Sequence, residues 1–155
     1  MTPYRATAPC DWAAILRLIQ TEFAYMATRI DPPSSMQRLT EADIAAKAES
    51  GEVWLVGTPP VACMFLTVQA DSLYLGKLAV STSQRGKGLA RALVGVAQIR
   101  AKVLGLAAVE LETRVELVEN HAAFRAMGFI ETGRSAHPGY AQPTSITFRK
   151  AVQVR

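Results

Sequence analysis

The stretch Leu78-Ala-Val-Ser-Thr-Ser-Gln-Arg-Gly-Lys-Gly-Leu-Ala-Arg-Ala-Leu93 carries the residue types and spacing that suit an anion. An apolar strand stops, Gly86 and Gly88 permit a tight turn, and an amphipathic segment begins at once. The first-turn amides of a helix lack internal acceptors and sit at the positive end of its dipole, so a phosphate docks there when no side chain blocks it. Gly86 and Gly88 remove those side chains. Arg85, Lys87 and Arg91 add the positive charge that a ligand with several phosphates requires.

Two rival phosphate motifs can be tested against the same residues. A Walker loop needs Gly, four residues, then Gly-Lys followed by Ser or Thr. Gly76-Lys77 is followed by Leu78 and Gly86-Lys87 by Gly88, with Asp71 and Ser81 where the first glycine would stand, so that motif is absent. A dinucleotide fingerprint fits in its first two glycines, Gly86 and Gly88, and in the distance to Glu110 as a ribose-binding acid, but its third glycine is Arg91.

The elements that must position this loop follow from the apolar period. Ile15, Leu16, Leu18, Ile19, Phe23 and Met26 predict an amphipathic helix over Asp11–Arg29, capped by Asp11 and preceded by a short strand at Tyr4–Ala6. Thr40-Glu-Ala-Asp is a variant capping box opening a short helix to about Glu49, which Gly51 ends. Val53–Gly57, Val61–Ala70 and Leu73–Val80 then read as three antiparallel strands separated by Thr58-Pro59-Pro60 and Asp71-Ser72. Helices over Leu89–Leu104 and Glu119–Met127 and strands over Ala107–Thr113, Gly128–Ser135 and Thr144–Arg149 complete the order βααβββαβαββ, an α/β or α+β chain. The last strand is expected to leave an exposed edge through which two copies could pair as a homodimer.

With 155 residues, half of them hydrophobic, the chain predicts one domain over residues 1–155 with its core at about 4–150, and it excludes wholesale disorder. The net charge of +4 without a Lys/Arg-rich run favours an anionic ligand and argues against a nucleic-acid binder. Cys10 and Cys63 with two distant histidines make no zinc-ligand spacing, and Cys63 reads as core. No run approaches the ~20 apolar residues that span a bilayer, so a reduced, cytoplasmic protein without a membrane partner is expected.

The pyrophosphate-type pattern Arg85-x-x-Gly88-x-Ala90, placed between a strand and a long helix, resembles the signature of the GNAT superfamily of acyl-CoA-dependent N-acetyltransferases. Asn120-His-Ala-Ala-Phe-Arg-Ala-Met-Gly-Phe129 is similar to the helix and Gly-Phe strand start that follow that family's fifth strand. The resemblance implies a mixed, mostly antiparallel sheet of about seven strands with about four helices, splayed between Leu73–Val80 and Ala107–Thr113, with acetyl-CoA in the gap. It also implies that the backbones of Leu78 and Val80 bind the pantetheine. The segment Arg85, Gly86, Lys87, Gly88, Leu89, Ala90 and Arg91 would wrap the pyrophosphate, and Asn120 and Phe124 would border the cofactor. A primary amine of a small molecule or peptide would then attack the thioester directly.

Such an amine, of pKa ~10, must lose a proton, and the leaving thiolate can use one. Glu110 and Glu112 share one face of the fifth strand by the two-residue period and are the candidate bases, with Val109, Leu111 and Thr113 on the other face. The family's tyrosine, four residues before the glycine of Gly-Phe, is here Phe124, which has no proton to give; its usual asparagine, one turn before Asn120, is Leu117. Tyr140, in the loop 136–143 with His137, is a candidate replacement for the missing phenol. Arg29, Asp31, Pro32 and Pro33 are expected as the other wall of the acceptor pocket. Two further readings stand beside this one: an acyl-CoA-binding module with weak or lost catalysis, which Phe124 suggests, and a small nucleotide- or dinucleotide-binding protein using the same loop.

Overall fold

The apolar residues change period along the chain, and the elements follow. In a computed structural model that describes residues 1–152, strand β1 (Tyr4–Arg5) leads into helix α1 (Trp12–Phe23). Asp11 caps α1 by accepting from the Ala14 amide at 3.1 Å, which satisfies one first-turn donor. The helix is shorter than the Asp11–Arg29 expected from its spacing: it stops at Phe23, and a 3-10 turn over Ala24–Met26 takes the chain around. That tighter turn buries Met26 with Ile30 and Leu117 and brings Pro32 and Pro33 under Arg114, which donates to both carbonyls.

Helix α2 (Glu41–Ser50) opens on the expected capping box, with the Asp43 amide donating to Thr40 Oγ1 at 3.1 Å and the Thr40 amide to Asp43 Oδ2 at 2.9 Å. Gly51 ends it. Strands β2 (Glu52–Val56), β3 (Ala62–Gln69) and β4 (Ser72–Val80) form the antiparallel meander. β3 reads as an almost continuous apolar run because both of its faces are covered: Ala62, Met64 and Leu66 pack toward one cluster, Cys63 and Phe65 toward the other. Burial pushes the Cys63 thiol up to about 12, the state of a core residue rather than a reactive one.

Helix α3 (Leu89–Val103), strand β5 (Ala108–Arg114), helix α4 (Val118–Ala126) and strands β6 (Ile130–Ser135) and β7 (Ser145–Ala151) follow. The seven strands make one sheet in the order β1-β2-β3-β4-β5-β7-β6, antiparallel except at β4–β5. This is the mixed, mostly antiparallel architecture expected. Leu93, Val94, Ala97 and Ala101 of α3 pack on one face, with Phe124 and Met127 beside them; Ile15, Leu18 and Ile19 of α1 and Ile44 of α2 pack on the other. Arg100 ties α3 to the sheet through a two-pronged contact with the buried Glu52, whose carboxylate also accepts from Trp54 Nε1.

The last strand is not an edge. β7 lies between β5 and β6, so among the described residues the sheet's edges are β1 and β6, and the exposed edge expected on the last strand is absent. The β6–β7 loop returns the chain inward, because β7 must complete the ladder with β5 along its whole length from Arg114 to Ala108.

One irregularity sets the rest of the geometry. β4 and β5 pair only at Ser72–Ala108, Leu73–Val109 and Tyr74–Glu110, and beyond Tyr74 the two strands have no register partners in each other. On its other side β4 shifts register against β3, where Cys63 to Phe65 spans Ala79 to Gly76. One extra residue therefore sits in β4, and Lys77 takes it up with a φ of +51°. Such a bulge bends its strand and increases the local twist, and here it marks the point from which β4 and β5 diverge.

Candidate active site

The divergence opens two clefts that share Phe23, Leu78, Asn120 and Phe124 in their walls. The larger, about 760 Å³, runs between the end of β4, the start of α3 and one side of α4. Of the residues expected at a cofactor, it is lined by Leu78, Val80, Arg85, Gly86, Gly88, Leu89, Ala90, Arg91, Asn120 and Phe124. Lys87 is not in its wall; its ammonium donates to Gln84 Oε1 at 3.2 Å.

The loop before α3 is open and rich in glycine. Gly86 and Gly88 both take left-handed conformations, φ +79° and +77°, which glycine adopts without the steric penalty of a Cβ. A Cβ placed on either would meet nothing within 4 Å, so the space that these glycines leave belongs to no part of the protein. Gly88 caps the 15-residue helix α3 without any side-chain hydrogen bond, and its carbonyl accepts from Ala92 at 2.9 Å. The amides ahead of Ala92 thus face the cleft without a capping side chain. Free first-turn amides of this kind, beside the Arg85 guanidinium, have the chemistry to hold a phosphate group.

A buried carboxylate that escaped the sequence reading holds this loop. Glu22, only 8% exposed, accepts from Thr82 Oγ1 at 2.9 Å and from Arg85 Nη2 at 3.2 Å. It stands on the apolar stripe of α1, three and four residues after Ile19 and Leu18, and a carboxylate on that stripe was the available signal. At the mouth, Arg29 bridges to α4 by donating to both oxygens of Glu119 at 2.7 and 2.9 Å. That contact holds the Glu119 carboxyl down to about 2.

The smaller cleft, about 290 Å³, lies where β5 diverges from β4 and is closed by Met26, Ile30 and the segment Ser34–Met36. Tyr74, Lys77, Glu112, Thr113, Arg114 and His137 give it polar walls. Glu112 is exposed and has no cationic partner among the described residues. The neighbouring Tyr74 hydroxyl is pushed up to about 12, first by burial and then by the Glu112 charge. Glu110, on the same face of β5, is engaged elsewhere: Arg149 donates to it at 2.8 Å while also holding Asp71 at 3.0 Å, and Glu110 lines neither cleft.

Tyr140 is not brought to the clefts either. Its hydroxyl donates to Asp31 Oδ1, and that bond raises the phenol above its ordinary value. The contact ties the β6–β7 loop to the segment after α1. His137 does reach the smaller cleft, held by Thr144 through both its backbone amide and its ring. Phe124 shows its ring to both clefts and packs edge-on to Phe129 at 5.8 Å between centroids.

The sequence profile described as the acetyltransferase (GNAT) family matches residues 12–129. No curated protein sequence matches the chain. Among solved structures the chain is similar to the ribosomal-protein-S18-alanine N-acetyltransferase from Escherichia coli, with 19% identity, 99% of this chain and 95% of that chain covered, and a TM-score of 0.71. It is also similar to a GNAT family acetyltransferase from Elizabethkingia anophelis with acetyl-CoA bound, with 16% identity, 97% of each chain covered and a TM-score of 0.72. An acetyltransferase from Streptococcus agalactiae gives 18% identity, 97% of each chain and a TM-score of 0.75. At these identities the likeness is one of fold. Among the described residues no helix is long and apolar enough to cross a membrane.

Proposed function

As this chain belongs to the acetyltransferase (GNAT) family, enzymes whose acyl donor is acetyl-CoA, we propose that it transfers the acetyl group to a primary amine of a small molecule or peptide. The observation that carries this reading is the pair of clefts meeting at Leu78, Asn120 and Phe124: one carries an anion cradle and the other an unpaired carboxylate. Bound acetyl-CoA supplies an electrophilic thioester carbonyl. The amides after Gly88 and the Arg85 guanidinium bind the pyrophosphate, and the β4 edge at Leu78 and Val80, free of β5, bonds the pantetheine as an added strand would.

Glu112 is the base. The amine nitrogen bonds to the carbonyl carbon, the carbon–sulfur bond breaks, and the ammonium proton passes to Glu112. Phe124 gives the departing sulfur an apolar wall and no proton, so the thiolate leaves without a donor on α4. Glu110 and Tyr140 serve the architecture: the first anchors Arg149, the second closes the loop on Asp31.

Thermal unfolding in the presence of acetyl-CoA, NAD and ATP tests the donor. At ~100 times its dissociation constant a ligand stabilises by ~2.7 kcal/mol. Acetyl-CoA is expected to raise the melting temperature and the other two to leave it unchanged. A rise with NAD or ATP and none with acetyl-CoA would return the loop to nucleotide binding.

A further inference from the structure

The charges of the smaller cleft do not balance, and their imbalance describes the acceptor. Lys77, the bulge residue of β4, is half-buried in the wall. It makes no ion pair and no side-chain hydrogen bond among the described residues; burial holds its ammonium below the ordinary value, and its charged neighbour, Lys47, has the same sign. Arg114 spends two donors on the carbonyls of Pro32 and Pro33, and among the described residues its charge has no carboxylate partner. Against these two cations stands one carboxylate, Glu112.

Lys77, half-buried with no partner among the described residues, is costly to hold away from water unless something binds it. Glu112 suits the ammonium form of an amine. Lys77 and Arg114 suit an anion carried by the same molecule. A space of about 290 Å³ lies at the lower limit of the ~300–1,000 Å³ that drug-sized ligands occupy, the scale of an amino acid rather than of a peptide chain.

We propose that the acceptor is a small aminocarboxylate, its amine facing Glu112 and its carboxylate held by Lys77 and Arg114. This inference rests on the acetyl-transfer reading above. The amine becomes an amide, so the product keeps the carboxylate and loses the positive charge that Glu112 attracts. Loss of that attraction favours product release.

The test compares free amino acids, including β- and γ-amino acids, with their carboxamides and with tripeptides as acceptors, reading thiol release from acetyl-CoA. At least one free aminocarboxylate is expected to exceed its carboxamide by tenfold or more in kcat/KM, mostly through KM. Lys77→Met is expected to bring the acid-to-amide ratio close to one, and Lys77→Arg to restore most of it. Binding of acetyl-CoA is measured on the same samples, so that its absence reports failure of the acetyl-transfer reading. With acetyl-CoA bound, equal use of acids and amides, a preference for tripeptides, or no turnover of any aminocarboxylate would each overturn the proposal. The comparison on the unsubstituted protein decides it even where the Lys77 variants fail to fold.

Discussion

Gly88→Val is expected to lower the affinity for acetyl-CoA at least ~100-fold, or about 2.7 kcal/mol, in a protein that still folds. The side chain would project into the space left open beyond Gly88, where nothing of the protein lies within 4 Å, and would occupy the volume the pyrophosphate needs. A part of the cost falls on the protein itself, because a residue with a Cβ at a φ of +77° is strained by roughly 1–2 kcal/mol. Calorimetric titration separates the two effects, since affinity is measured on the folded fraction. Gly88→Ala carries the same backbone strain with a smaller obstruction and is expected to lose about tenfold. Unchanged affinity in both variants would place the pyrophosphate elsewhere.

Glu112→Gln is expected to reduce kcat by ~10²–10⁴, the range for a positioned acid or base, while acetyl-CoA binds as before. The substitution keeps the shape and hydrogen-bonding reach of the side chain and removes only its capacity to take a proton. Glu110→Gln is the control on the same strand face. Its carboxylate is bound to Arg149 and lies outside both clefts, so it is expected to affect stability and to leave kcat within about twofold. Reversal of these outcomes would move the base from Glu112 to Glu110.

The strand-and-helix order was legible in the residues because periods of two and of 3.6 alternate cleanly along the chain, and because Thr40, Asp43 and Gly51 mark the ends of α2. The glycine loop was legible because its chemistry is local: two glycines, three cations and a helix start lie within seven positions. The bulge at Lys77 left a trace that went unread. Leu73 and Leu75 share a face with Leu78 and Val80, and the step of three between Leu75 and Leu78 in a two-residue pattern is the mark of an inserted residue.

The remaining site contacts span the chain. Arg29 reaches Glu119, Tyr140 reaches Asp31 and Arg114 reaches Pro32, each across more than 80 positions, and no local pattern encodes such pairs. Tyr140 is offered as a replacement phenol by the family resemblance, which sets the segment between the last two strands beside the acceptor; the packing of that loop sends its hydroxyl to Asp31 instead. Glu110 and Glu112 looked equivalent by period. Only the neighbouring strand distinguishes them, because Arg149 of β7 stands opposite Glu110 and Thr147 opposite Glu112.

The most direct measurement of acetyl transfer is the simultaneous yield of free thiol and N-acetyl product from acetyl-CoA and an aminocarboxylate. The account predicts that both appear in equal amounts, that both require the amine, and that no acetylated protein accumulates when the amine is withheld. Thiol release that ignores the amine, or binding of acetyl-CoA with no transfer to any amine, would contradict it.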